Sequence, residues 1–282
     1  MVGTLMPCNP AIRYAGAKRK LIPQILEKMP TNTKLIVEPF CGSAAFSFSQ
    51  DKRFVINDSS VELINFYKVL LYYTEEFIGN LQKLDSVVKD KERYLNLRSL
   101  DRMTDFELNV SAIDRAIRYY YIIRSGFNSL YRVNSKGTCN TPFGDRCYST
   151  DAGALRQAAA HLGKYCIGLH SLQFDDESII PVNYSPNEAF ILIDPPYQTG
   201  DDGKHVYQEY TADKIDESFY TRLDRYLDML DGKGYKFLLT NTYCEFITER
   251  FARFNVEKLP IKYSIAADGE KRGTKFEAFI YN

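Results

Sequence analysis

Short apolar runs punctuate the chain, each closed by a polar or turn-forming residue. Leu35-Ile-Val37 stops at Glu38-Pro39 and leads into Phe40-Cys-Gly42-Ser-Ala-Ala45, which predicts a strand, a tight turn and a helix start. Phe54-Val-Ile56 ends at Asn57-Asp58. Ser59 then stands three residues before Glu62, the spacing of a capping box, and Leu63, Phe66, Tyr67, Leu70 and Leu71 recur at helical intervals. In that order these predict the first strand, helix, strand and helix of a parallel α/β sheet.

From about Val69 to His161 the pattern changes to successive helices, around residues 75–88, 91–100 and 111–124, with no sheet strand between them. Leu130-Tyr-Arg-Val-Asn134 and Thr138-Cys-Asn-Thr141, joined by Ser135-Lys-Gly137, predict the two arms of a β-hairpin that ends at Pro142-Phe-Gly144. The α/β pattern resumes with Tyr165-Cys-Ile-Gly-Leu169, Ala189-Phe-Ile-Leu-Ile193, a helix around 216–231 and the strand Lys236-Phe-Leu-Leu239. Two β-like runs, roughly 256–265 and 275–281, flank the polar, glycine-containing segment Asp268–Thr274 and predict a closing antiparallel pair. The expected organisation is an α/β unit in two parts, residues 1–68 and 162–282, split by a mainly helical insertion over 69–161 that carries the hairpin.

At 282 residues and 45% hydrophobic content, the chain can bury one large core plus a sizeable insertion. Its 36 basic and 36 acidic side chains cancel, so attraction to a polyanion has to come from local clusters such as Arg13-Tyr-Ala-Gly-Ala-Lys18-Arg19-Lys20. With 21 Tyr, 18 Phe and no Trp, many rings carry a hydroxyl suited to half-wet grooves and base stacking. The six cysteines are scattered without C-x-x-C pairs and the three histidines are not grouped near them, so neither a zinc site nor a disulfide framework is expected. Without an apolar leader or a run long enough to cross a bilayer, the expectation is a protein of the reducing cytoplasm with no membrane or metal partner.

Open α/β sheets bind ligands beyond the carboxyl ends of their strands, and three loops stand there. Glu38-Pro-Phe40-Cys-Gly42 places a glycine where backbone can approach a ligand, although a tight turn without a ligand reads the same way. Asp58 lies near the spacing at which an acid accepts paired ribose hydroxyls; a carboxylate stabilising a helix start is the plainer reading. Asp194-Pro-Pro-Tyr197 is more specific. Pro195 and Pro196 fix the backbone and remove two donors, so a carboxylate, a rigid carbonyl and an aromatic face meet one small planar object. That set suits the amine of adenine, whose lone pair is conjugated with the ring. If Asp194 and the Pro195 carbonyl accept its two hydrogens, the nitrogen can turn tetrahedral and aim its lone pair at a methyl sulfonium. Tyr197 would stack on the base once it has left the duplex.

In these motifs and their order the chain resembles DNA N6-adenine methyltransferases of the Dam type, in which the cofactor motif precedes the recognition insertion and Asp-Pro-Pro-Tyr follows it. The likeness rests on Tyr14-Ala-Gly-Ala-Lys18, Glu38-Pro-Phe-Cys-Gly42, Asn57-Asp58, Ser125–Gly137 with Asn140–Gly144, and Asp194–Tyr197, and it covers nearly the whole length. It implies a Rossmann-like methyltransferase fold with a mixed sheet, S-adenosylmethionine as methyl donor, double-stranded DNA as partner, and a target-recognition role for residues 69–161. Residue by residue, it implies donor contacts at Tyr14 and Lys18, a loop around the methionine moiety at Phe40 and Gly42, a ribose-binding acid at Asp58 and a ring beside the donor's adenine at Phe174. Asp194, Pro195, Pro196 and Tyr197 are then catalytic, with Asp194 also at the donor. The hairpin resembles the element with which the family enters the major groove: Arg132 for guanine O6 and N7, with Leu130, Asn134, Pro142 and Arg146 beside it. Arg124, Asn128 and Ser129 are placed for phosphates. The loop Gly42-Ser-Ala-Ala45 departs from the pattern by lacking its second glycine.

The expected reaction is methylation of adenine N6 in duplex DNA at a short palindrome, GATC or a site containing it, with a cognate restriction endonuclease as a candidate partner. One rival is N6 methylation of RNA, or methylation of another planar amine; the hairpin argues against RNA because the A-form major groove is too narrow for such a ribbon. The other is a catalytically silent regulatory module that binds DNA or cofactor, against which the intact Asp194, Pro195 and Tyr197 argue.

Overall fold

A computed structural model describes residues 8–14, 16, 18–197, 216–261 and 275–282. In chain order its helices and strands are α1 (Ile22–Lys28), β1 (Leu35–Glu38), α2 (Ala45–Phe48), β2 (Arg53–Asn57), α3 (Val61–Tyr72), α4 (Thr74–Gln82), α5 (Lys91–Ser99), α6 (Phe106–Asn109), α7 (Ala112–Ser125), α8 (Ala152–Tyr165), β3 (Cys166–His170), β4 (Ala189–Ile193), α9 (Glu217–Gly232), β5 (Lys236–Thr242), α10 (Glu245–Arg250), β6 (Asn255–Ile261) and β7 (Lys275–Tyr281).

Among the described residues the strands form one seven-stranded sheet in the order β3-β2-β1-β4-β5-β7-β6. The first five are parallel, and β7 runs antiparallel to both β5 and β6. This is the mixed Rossmann-like sheet that the resemblance implies, and the expected closing antiparallel pair is β6 with β7. Residues 262–265 and the segment Asp268–Thr274 lie outside the described residues. β1 and β4 are neighbours although the whole insertion separates them in sequence, with Leu35 opposite Ala189 and Val37 opposite Ile191. The strand order reverses between them, so the loops after β1 and β4 border the crevice where such sheets receive ligands.

Both strands are buried along their full length, which is why they read as unbroken apolar runs rather than alternating ones. Alternate residues feed two cores. Ile36, Phe54, Ile56, Phe190 and Leu192 face the side covered by α3, α7 and α8, whereas Val37, Val55, Ile191 and Ile193 face α9 and α10. The first core continues into the insertion through Phe77, Tyr94, Tyr119 and Tyr120. The divisions read at 68/69 and 161/162 accordingly fall inside α3 and α8.

α3 is capped by Ser60 rather than Ser59: Ser60 Oγ accepts the Leu63 N–H at 3.4 Å, and Asp58 Oδ1 accepts the Ser60 N–H at 3.0 Å. Glu62 does not close a capping box, and its Oε1 pairs with Arg115 on α7.

The hairpin forms without regular strands. Asn134 donates its N–H to the Thr138 carbonyl at 2.9 Å and accepts the Gly137 N–H at 2.9 Å, so three residues close the turn, with Gly137 at φ 76° where a side chain would be strained. The arms meet in an isolated bridge between Val133 and Cys139. Next to it the Arg132 N–H is taken by the Thr141 hydroxyl at 2.9 Å instead of a backbone carbonyl, which breaks the regular ladder.

Candidate functional site

Two clusters of polar groups stand at the carboxyl ends of the central strands. The first surrounds the turn after β1. Gly42 has φ 46°, and a Cβ there would lie 2.7 Å from the Tyr14 ring, so only glycine fits. The Gly42 N–H donates to Asp58 Oδ2 at 3.1 Å, a direct bond that closes the short spacing of 16 residues between them. The Tyr67 hydroxyl donates to the Gly42 carbonyl at 3.1 Å. Asn57, at the end of β2, spans the neighbouring loops: its amide donates to the carbonyls of Pro39 at 2.9 Å and Leu172 at 3.1 Å and accepts the Leu172 N–H at 2.9 Å. Burial raises the Asp58 carboxyl above the ordinary range, against the pull of the Ser60 and Gly42 N–H groups. Each of its oxygens accepts one backbone N–H and keeps a further lone pair. In the loop Gly42-Ser-Ala-Ala45, which lacks a second glycine, Ala44 takes the left-handed conformation at φ 51°.

The second cluster is the loop after β4. Asp194 Oδ1 accepts the Thr240 hydroxyl at 2.7 Å and pairs with Lys18 Nζ at 3.0 Å. Lys18 also lies 4.4 Å from the centre of the Tyr197 ring, and the Tyr197 hydroxyl donates to Glu277 Oε2 at 3.3 Å. Both contacts of Asp194 fall on one oxygen, which leaves Oδ2 and the Pro195 carbonyl as acceptors on a fixed turn. Lys18, expected beside a cofactor, therefore sits on the Asp194 carboxylate. Glu38, at the end of β1, lies beneath the same region: burial pushes its carboxyl up to about 7, two hydrogen bonds from Ser47 oppose the rise, and the charge of Asp194 adds to it.

Phe40 and Phe174 are brought together, stacked with centroids 5.0 Å apart, and Phe219 of α9 packs against both. Phe174 is buried, with the Arg222 guanidinium 5.0 Å from its ring centre and Arg222 in turn paired with Asp175. Phe40, only half-buried, is the more accessible ring.

The hairpin residues lie together in the insertion, away from these clusters in sequence. Arg124, Asn128, Pro142 and Arg146 are exposed, and Leu130, Arg132 and Asn134 are half-exposed. Ser129 differs from its expected place on the phosphate-facing surface: it is buried at φ 57°, and its hydroxyl accepts Arg146 Nη1 at 3.1 Å. Arg124 reaches the Ser149 carbonyl at 3.3 Å. Thr240 and Glu277 escape the sequence reading. The run Thr240-Asn-Thr242, polar residues closing an apolar strand, is the signal that would have found the first.

Among the described residues no group of three His, Cys, Asp or Glu side chains could hold a metal ion, no helix is long and apolar enough to cross a membrane, and all six cysteines are free.

The profile of D12 class N6 adenine-specific DNA methyltransferases matches residues 14–265. The chain is 31% identical over 280 residues to the Type II methyltransferase M1.LlaDCHI of Lactococcus lactis subsp. cremoris, covering 97% of this chain and 95% of the relative. It is 29% identical over 287 residues to the Type II methyltransferase M.MjaIII of Methanocaldococcus jannaschii, covering 95% and 96%. A DNA adenine methylase of Vibrio cholerae is 33% identical over 135 residues, 47% of each chain.

Proposed function

The chain belongs to the D12 class of N6 adenine-specific DNA methyltransferases, and from that membership we propose that it moves the methyl group of S-adenosylmethionine to N6 of an adenine extruded from duplex DNA. The observation that carries this reading is the Asp194-Pro-Pro-Tyr197 turn at the end of β4, beside β1, with Asp194 Oδ1 held by Thr240 and Lys18.

The residues present fit such a donor. Gly42 lets the turn pack against the Tyr14 ring where any side chain would collide, Asp58 keeps lone pairs for ribose hydroxyls, and Phe40 offers a ring face to the donor's adenine, with Phe174 packed beneath it. When bound, the donor supplies a methyl group on a positively charged sulfur. Asp194 Oδ2 and the Pro195 carbonyl would accept the two hydrogens of the target amine, turning its lone pair out of the ring plane; as the new N–C bond replaces the donor's S–C bond, the donor would leave as the neutral thioether and N6 would release one of those protons. Pro196 fixes the turn, and Tyr197, its hydroxyl tied to Glu277, stacks on the base. Lys18 and Tyr14 border the donor's side of the turn.

In the same reading, residues 69–161 recognise the target. Arg132 bonds a guanine in the major groove, Leu130, Asn134 and Pro142 line the neighbouring bases, and Arg124 and Asn128 meet phosphates. Arg146 stands with the recognition residues and Ser129 holds it in place. The target is GATC or a site containing it. Relatives named Type II methyltransferases support protection of host DNA against an endonuclease of the same site, and six free cysteines support a reducing compartment.

Modified-base sequencing of DNA treated with the purified protein tests substrate, atom and site together. Asp194→Ala is expected to abolish methylation while donor and DNA still bind; undiminished turnover in that variant defeats the mechanism.

A further inference from the structure

Arg118 heads the large side chains that are fully buried. It projects from the middle of α7, and all three of its nitrogens find partners. Nε donates to the Leu97 carbonyl at 2.9 Å, Nη1 to the Tyr131 hydroxyl at 2.8 Å, and Nη2 to the Arg98 carbonyl at 2.9 Å and to Asp101 Oδ2 at 2.6 Å. Tyr131 precedes Arg132 in the first arm of the hairpin, and its ring packs on Tyr119 with centroids 4.5 Å apart. Asp101 Oδ2 also accepts the N–H of Cys139, in the second arm, at 2.6 Å. One buried cation thus grips the first arm directly and the second through Asp101.

A two-stranded ribbon has little stability of its own, and this one lacks a regular ladder, so its aim is set by what it is fixed to. A buried ion pair adds little net stability compared with apolar packing of the same volume, and its better-attested use is to fix registry. Bidentate readout of a guanine needs that registry, because both guanidinium donors of Arg132 must meet O6 and N7 together.

We propose that Arg118 and Asp101 are positioning residues for base readout: the pair locks the two arms so that Arg132 is presented in one register, and sequence discrimination depends on it. The inference rests on the reading of the hairpin as the base-contacting element.

The test compares Asp101→Asn, Tyr131→Phe and Arg118→Met with Arg132→Ala and the unaltered protein. For each, kcat/KM is measured on a duplex carrying the site identified by modified-base sequencing and on duplexes with one base pair changed, alongside Tm and the affinity for S-adenosylhomocysteine. Asp101→Asn and Tyr131→Phe are expected to bind S-adenosylhomocysteine normally and to lose about tenfold in discrimination at the base position that Arg132→Ala relaxes, with other positions unchanged. Should Arg118→Met fail to fold, those two variants decide. Discrimination preserved in both of them, or lost equally at every position in step with Tm, overturns the proposal. If Arg132→Ala relaxes discrimination and they do not, only the clamp is wrong; if Arg132→Ala itself changes nothing, the reading of the hairpin falls.

Discussion

Thr240→Val isolates the support of the turn proposed to be catalytic, because it keeps the shape of a fully buried side chain and removes only the hydroxyl. That hydroxyl has two acceptors in reach, the Ile193 carbonyl at 3.5 Å and Asp194 Oδ1 at 2.7 Å, and the shorter bond to a carboxylate takes the proton. A hydrogen bond to a charged group contributes about 1.5–3 kcal/mol net, and each ~1.4 kcal/mol in a barrier is tenfold in rate, so its full loss from the transition state would slow transfer by roughly 10- to 150-fold. Lys18 still holds the same oxygen at 3.0 Å, which places the expected loss at the low end, about tenfold. Single-turnover transfer of a labelled methyl group is the assay, since product release can mask chemistry in kcat. Affinities for duplex and for S-adenosylhomocysteine are expected to hold, and Thr240→Ser to restore the rate. An unchanged single-turnover rate in a folded Thr240→Val protein would refute the role given to this bond.

Two further predictions concern the first strand and its turn. Gly42→Ala forces a side chain into the left-handed region at a cost of about 1–2 kcal/mol and drives a methyl into the Tyr14 ring, so calorimetric affinity for S-adenosylhomocysteine is expected to fall by about tenfold or more, and an unchanged affinity would contradict the placement of the donor. Glu38 has a folded-state pKa of about 7 against an ordinary 4.5, so the native state binds its proton more tightly; stability from this group is full below about 4.5 and is lost as pH rises toward 7. Glu38→Gln removes that loss, which at 1.36 kcal/mol per pKa unit reaches about 3 kcal/mol at most, so denaturant unfolding should find the variant more stable at pH ~8 and no different near pH ~4.5. Equal differences at both pH values would show that the Glu38 carboxyl titrates alike in the folded and unfolded states and would contradict its raised pKa.

Much of this architecture is legible in residue order, because β1 and β4 are buried on both faces and their apolar runs end abruptly at Glu38-Pro39 and Asp194-Pro195. The long helix α7 is equally plain. α8 escapes the reading although its buried Leu155, Ala158, Ala159 and Leu162 recur at helical spacing, because two of the four are alanines and give that face little apolar bulk. The cap of α3 falls at Ser60, whose N–H Asp58 holds, and Glu62 pairs with Arg115, 53 residues away, an ion pair of which local spacing carries no record. The same limit applies at the site. Asp194 and Asp58 stand out by motif, whereas Thr240 and Glu277 become partners of the turn only when β5 and β7 pair in the sheet. The buried setting of Ser129 likewise depends on a left-handed turn that no composition signal marks.

In the proposed reaction the turn at residues 194–197 grips the target amine. A crystal structure of the protein with S-adenosylhomocysteine and a duplex carrying its methylated site tests this most directly. The expected complex has an adenine outside the helix, its N6 within hydrogen-bonding reach of Asp194 and the Pro195 carbonyl and its ring on Tyr197. An adenine still stacked in a fully engaged duplex, or one extruded into a pocket remote from Asp194, would contradict it.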